Sequence, residues 1–87
     1  MFKINIKPSR KIIINKMNFR FNDNVNVRAG PSTDTQRVAQ YHPGETVKLD
    51  GFHATSDGRT WGTYIGGSGQ RRYVCLNDNG ESYGYFS

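Results

Sequence analysis

Trp61-Gly-Thr-Tyr-Ile-Gly-Gly-Ser-Gly-Gln-Arg-Arg-Tyr-Val74 is the stretch that decides the fold. Two short runs rich in aromatic and β-branched residues flank a glycine-rich turn, and an arginine pair follows it. That pattern predicts a β-hairpin. It also gathers side chains suited to stacking on sugar rings and to contacting peptide or phosphate groups: Trp61, Tyr64, Arg71, Arg72 and Tyr73.

Outward from this hairpin the chain keeps the same rhythm. Phe19 and Phe21 alternate with polar residues before the turn Asn22-Asp23-Asn24. Val25-Asn26-Val27-Arg28 follows, with both valines on one face. Thr33 to Gln40 reads as a polar loop. His42-Pro43-Gly44 leads into Thr46-Val47-Lys48-Leu49, with Val47 and Leu49 inward, and Asp50-Gly51 reads as a turn. Ser56-Asp57-Gly58-Arg59 is a second hairpin turn, because glycine accepts the positive φ such turns need. Asn77-Asp78-Asn79-Gly80 turns the chain into Ser82 to Phe86, a closing strand. No segment sustains helical periodicity. Only 34% of the 87 residues are hydrophobic, so the core must be thin and lean on aromatics and a nearly closed sheet. The expected fold is all-β, one small barrel over residues 17–87. Residues 1–16 form a basic N-terminal arm or linker with strand-like alternation at Phe2 to Lys7.

The formal charge of +5 is unevenly spread. Residues 1–20 hold six Lys or Arg and no acid; residues 21–87 hold six against seven Asp or Glu. The barrel is therefore near neutral. A domain that grips phosphates carries its own basic face, so nucleic-acid binding is the alternative and the arm alone sustains it. A third reading is an assembly protein that pairs through its edge strands.

Catalysis finds no footing. The single cysteine, Cys75, permits no intramolecular disulfide and lies within a strand, away from any feature that would lower its pKa. It reads as a small buried hydrophobe. His42, His53 and Cys75 lack metal-ligand spacing, and no glycine-rich phosphate loop leads from a strand into a helix. Neither cofactor nor metal is implied. The longest apolar run in the basic N-terminus is Ile12-Ile13-Ile14, too short for a signal-peptide core or a membrane span. The expectation is production in a host cytoplasm without a signal peptide.

Two segments resemble the bacterial SH3 (SH3b) domains of phage endolysins and bacteriolysins. One is Asn26-Val27-Arg28-Ala29-Gly30-Pro31-Ser32. The other is Trp61-x-x-Tyr64 followed by Ser68-Gly69-x-Arg71-Arg72-Tyr73-Val74, with Gly44-Glu45-Thr46-Val47 between them. The match covers Met17 to Leu76. The resemblance implies an SH3-like β-barrel and a non-catalytic module that docks a lytic enzyme onto Gram-positive peptidoglycan, its cross-bridge peptide or an attached polymer. It also suggests a homo-oligomer, or assembly with a full-length lytic enzyme, through the arm.

The candidate ligand-binding residues are Asn26, Arg28, Trp61, Tyr64, Arg71, Arg72 and Tyr73. Each has a plainer role. Trp61 can anchor the core, Arg71 and Arg72 can be a solvated strand start, and Asn26 and Arg28 can cap the loop after them. Alternation places Trp61, Thr63 and Ile65 on one face and Tyr64 on the other. With Ile65 inward, Tyr64 is the exposed aromatic. The register at Val74 and Cys75 stays open: one of them faces out unless a bulge intervenes.

Overall fold

The computed structural model describes residues 17–87; the N-terminal arm, with its expected strand and its assembly role, lies outside the described residues. Nine strands follow one another: β1 Met17–Phe21, β2 Val25–Arg28, β3 Arg37–Tyr41, β4 Thr46–Leu49, β5 Gly51–Ala54, β6 Arg59–Ile65, β7 Arg71–Asp78, β8 Glu81–Ser82 and β9 Gly84–Phe86. They form an antiparallel three-stranded sheet, β4-β1-β9, and a larger sheet ordered β3-β2-β7-β6-β5, with β8 added to β7. All-β architecture follows from short alternating runs broken by turn residues. Gly58, Gly69 and Gly80 take φ of 88°, 86° and 95° at the β5–β6, β6–β7 and β7–β8 turns.

Alternation fixes the core. Phe19 and Phe21 from β1, Val47 and Leu49 from β4, Val25 and Val27 from β2, and Val74 and Leu76 from β7 form one buried cluster between the sheets. Val27 pairs with Val74 across the β2–β7 ladder, so these two valines set which face of the larger sheet points inward. Phe19, Phe21, Tyr41 and Tyr64 extend the cluster as a row of rings. Phe21 stacks on Tyr41 at 4.7 Å between centroids, and Tyr41 meets Tyr64 edge-on at 6.4 Å.

Two glycines allow close approaches, one between the sheets and one within the smaller sheet. A Cβ at Gly62 would lie 2.5 Å from Leu49 Cδ1, so its absence seats the β4 leucine on β6. Within the smaller sheet, a Cβ at Gly84 would collide with the backbone carbonyl of Arg20, so glycine there lets β9 pair against β1.

Two expectations change here. Gly51, read as half of an Asp50-Gly51 turn, opens the strand Gly51–Ala54, which pairs in register with Thr63 to Thr60. Arg37–Tyr41 is also a strand, paired to β2, within what reads in sequence as a loop.

Candidate functional site

The register of the larger sheet sorts the side chains by face. Val27 and Val74 point inward, so Arg28 and its partner Tyr73 point outward. Tyr73 pairs with Thr63, Cys75 with Trp61, and Trp61 with His53. The outer face therefore carries a row crossing four strands: Asn26 and Arg28 on β2, Tyr73 and Cys75 on β7, Trp61 and Thr63 on β6, His53 on β5. Val74 and Leu76 are both buried and Cys75 between them faces out, as plain alternation requires, which resolves the open register.

Trp61 is only 1% exposed, yet it does not belong to the cluster between the sheets. It lies on the outer face as the floor of a shallow cleft of about 160 Å³. The walls are Asn24, Asn26, Arg28, Thr33, Cys75 and Tyr83. The indole N–H donates to Thr55 Oγ1 at 3.3 Å. Thr55 in turn donates to Asp57, and that hydrogen bond, with the Arg59 guanidinium beside it, holds the Asp57 carboxyl below its usual range.

Arg28 does what the plainer reading allows, and it also lines the cleft. Its Nη1 donates to the carbonyl of Thr35 at 2.8 Å, tying the β2–β3 loop to the sheet. Thr35 Oγ1 closes that loop by donating to the carbonyls of Ser32 and Gly30. Asn26 Oδ1 accepts from Gln40 Nε2 at 3.2 Å. Both polar groups are thus held by neighbours while still facing the cleft. Farther along the row, Tyr73 meets His53 edge-on at 5.6 Å. Burial, reinforced by the charge of Asp78, pushes the Cys75 thiol up, so it stays protonated near neutral pH and is a poor nucleophile.

The seven candidates therefore divide. Asn26, Arg28, Trp61 and Tyr73 share the outer face. Arg71 stands at its rim, paired to both carboxylate oxygens of Asp50 at 2.8 and 3.3 Å and donating to Thr63 Oγ1. The Asp50 hydrogen bond holds its pKa up.

Tyr64 and Arg72 form a cross-strand pair on the opposite face. This reverses the expectation for Tyr64. Ile65 is 48% exposed and shares the outer side with Trp61, so Tyr64 turns toward the core. Its hydroxyl accepts from Tyr41 at 3.3 Å, and burial pushes its pKa well above that of a free tyrosine. The error has a clear source: Ile65 sits at the strand end beside the turn, where hydrophobicity no longer reports which face is covered.

Sequence reasoning missed Asn24, Thr33 and Tyr83 as cleft walls. They come from the β1–β2 turn, the β2–β3 loop and the residue between β8 and β9. No local pattern brings those three together. Among the described residues no group of His, Cys, Asp and Glu is placed to hold a metal ion, and no helix is long and apolar enough to cross a membrane.

The family model for the bacterial SH3 domain matches residues 12–76. A probable autolysin PH of Staphylococcus aureus (strain NCTC 8325 / PS 47) is 40% identical over 53 residues, 61% of this chain and 11% of the autolysin. The chain thus spans about a tenth of that relative. The crystal structure of Ly7917 superposes with a TM-score of 0.76 at 30% identity, over 83% of this chain and 34% of that one. The cell wall targeting domain of the peptidylglycan hydrolase ALE-1 superposes with a TM-score of 0.70 at 25% identity, over 83% of this chain and 80% of that domain. The chain thus matches nearly all of a solved targeting domain but only a fraction of the longer proteins.

Proposed function

The chain belongs to the bacterial SH3 domain family, and from that membership we propose that it is a non-catalytic module that binds bacterial cell walls through the outer face of its larger sheet. The observation that carries this reading is the cleft over Trp61. Its rim offers an arginine, two asparagine amides, a threonine and a tyrosine hydroxyl around an aromatic floor. Those groups suit an extended chain rich in amides, hydroxyls or anionic groups, such as peptidoglycan, its cross-bridge peptide or an attached wall polymer. The cleft is shallow, so the His53–Tyr73 pair beyond it lengthens the contact surface for such a chain.

The binding site proposed is Asn26, Arg28, Trp61 and Tyr73, joined by Asn24, Thr33 and Tyr83. Trp61 acts here as a floor that shapes the cleft, since its ring is too covered to stack fully on a sugar. Arg71 acts through its Asp50 pair by fixing the rim. Tyr64 and Arg72 belong to the opposite face and support the hairpin. The likeness to a targeting domain of a wall hydrolase supports a reading in which the parent is a lytic enzyme, of phage or bacterial origin, that acts on Gram-positive walls. The nucleic-acid alternative gains nothing from the fold: Arg59 and Arg71 are already paired to Asp57 and Asp50.

Co-sedimentation of the labelled chain with purified walls from several Gram-positive species tests the reading, before and after wall polymers are stripped. Retention restricted to some species is the expected result, and the stripped sample separates polymer from peptidoglycan. Absence of retention on every wall at physiological salt would reject it.

A further inference from the structure

The β5–β6 and β7–β8 turns are clasped to each other at one end of the larger sheet. The Asn79 backbone N–H donates to the Gly58 carbonyl at 2.9 Å, and Asn79 Nδ2 donates to the Asp57 carbonyl at 3.3 Å and to Asp78 Oδ1 at 2.7 Å. Arg59 bridges the same two turns. Its Nη1 pairs with Asp57 Oδ2 at 2.7 Å and its Nε with Asp78 Oδ2 at 3.4 Å. Plain alternation would give Asp78 the parity of the buried Val74 and Leu76. One extra residue on β7, at the bulge between Thr60 and Trp61, sets Asp78 opposite Arg59 instead. The ion pairs therefore hold the β6–β7 hairpin together on the far side of a break in its ladder.

These contacts form a chain that leaves the Trp61 cleft at its floor and returns at its wall. The indole N–H donates to Thr55 Oγ1, and Thr55 Oγ1 donates to Asp57 Oδ1. Arg59 joins Asp57 to Asp78, and the Tyr83 hydroxyl donates to Asp78 Oδ2 at 3.5 Å. Trp61 and Tyr83 both line the cleft, whereas Arg59 stands behind it. We propose that Arg59 is a positioning residue for ligand binding: by bridging two carboxylates it fixes the spacing between the Trp61 floor and the Tyr83 wall without touching the ligand. This rests on the reading of the cleft as the binding site. Arginine suits the role because two nitrogens of its planar fork meet two acids at once, whereas lysine offers a single point of charge. The Arg59 pairs lie close to solvent, where ion pairs add little to global stability. That separates Arg59 from a core residue.

Trp61 is the sole tryptophan of the chain, so its fluorescence reads the cleft directly. Arg59→Gln should raise acrylamide quenching of Trp61 and move its indole N–H resonance, while the urea midpoint changes little. Half-saturation on purified walls should rise roughly twofold to fivefold, the range an exposed ion pair supports. Arg59→Lys should recover only part of the loss. Leu49→Ala, a core substitution, should leave quenching and retention per folded molecule as in the native chain. Thr55→Val should raise quenching as Arg59→Gln does, and Thr55→Ser, which keeps the hydroxyl, should restore the native value. Native quenching in Arg59→Gln would overturn the proposal, as would a Thr55→Ser variant no better than Thr55→Val. So would raised quenching with unchanged retention in Arg59→Gln while Arg28→Ala loses retention. Unchanged retention in both Arg59→Gln and Arg28→Ala would reject the cleft reading itself, and the proposal with it.

Discussion

The two faces of the larger sheet each cover an aromatic, Trp61 fully and Tyr64 in part, by different means. On the inner face Tyr64 is half-buried, packed with Tyr41 and Phe21 against the valines, leucines and phenylalanines of the core, with the Tyr41 hydroxyl as its polar partner. On the outer face Trp61 is covered by turns and loops that bring asparagine, arginine, threonine and tyrosine around it. The first arrangement supplies stability. The second covers a large ring while leaving polar groups facing solvent, which is what a recognition surface needs. Aromatic size alone therefore does not tell core from site in a small barrel; what surrounds the ring does.

The sharpest way to break this division is to cut each face in turn. Leu49→Ala empties the space over Gly62 and should lower unfolding free energy by about 2–5 kcal/mol, measured by urea denaturation. Wall retention per folded molecule should not change. If Leu49→Ala weakened retention in proportion to its stability loss, the faces would not be separable.

Arg28→Ala should do the reverse. We expect wall retention to fall roughly tenfold, equivalent to about 1.4 kcal/mol, measured as a shift in half-saturation on purified walls. Tyr64→Phe removes a hydroxyl from the inner face and should leave retention as it was. Retention that depends on the Tyr64 hydroxyl and not on Arg28 would move the site to the opposite face.

A pH titration sharpens the inner half of the comparison. Burial raises the Tyr64 pKa in the folded state, so above the ordinary tyrosine value near 10 the unfolded chain binds fewer protons than the folded one. Stability should therefore fall as pH rises through that range and be unaffected by Tyr64 below it. Absorbance near the tyrosinate band should show Tyr64 ionising with alkaline unfolding, and Tyr64→Phe should flatten that part of the stability profile. A Tyr64 that ionises freely in the folded protein would show that the inner face is open to water.

The smallest effect concerns Cys75. Its raised pKa predicts slower reaction with a disulfide reagent at pH 8 than a free thiol shows. Because it lines the cleft, soluble wall fragments should slow it further. Unchanged labelling at saturating fragment would place the ligand elsewhere.

Much of this fold was legible in the sequence because alternation and turn chemistry agreed. Phe19 with Phe21, Val25 with Val27, and Val47 with Leu49 all point inward as their spacing requires. The hairpin from Arg59 to Asp78 also forms about the expected turn. Strands β3 and β5 were hidden because they lie at the sheet's edges, where Arg37 to Gln40 and Phe52 to Ala54 are exposed and no apolar alternation marks them. The site was legible only in its strand-borne members. Asn26, Arg28 and Tyr73 follow from the register once Val27 and Val74 are known to face inward, but Asn24, Thr33 and Tyr83 depend on how three connections fold over Trp61. The face of Tyr64 is not legible because Ile65 is apolar yet exposed at the strand end, so hydrophobicity there points the wrong way.

Chemical-shift mapping during titration with soluble wall fragments tests the central claim most directly. The account predicts progressive shifts at Asn24, Asn26, Arg28, Thr33, Tyr73 and Tyr83, with the Trp61 indole N–H responding as the cleft fills. Shifts confined to Tyr41, Tyr64 and Arg72, with the cleft silent, would contradict it.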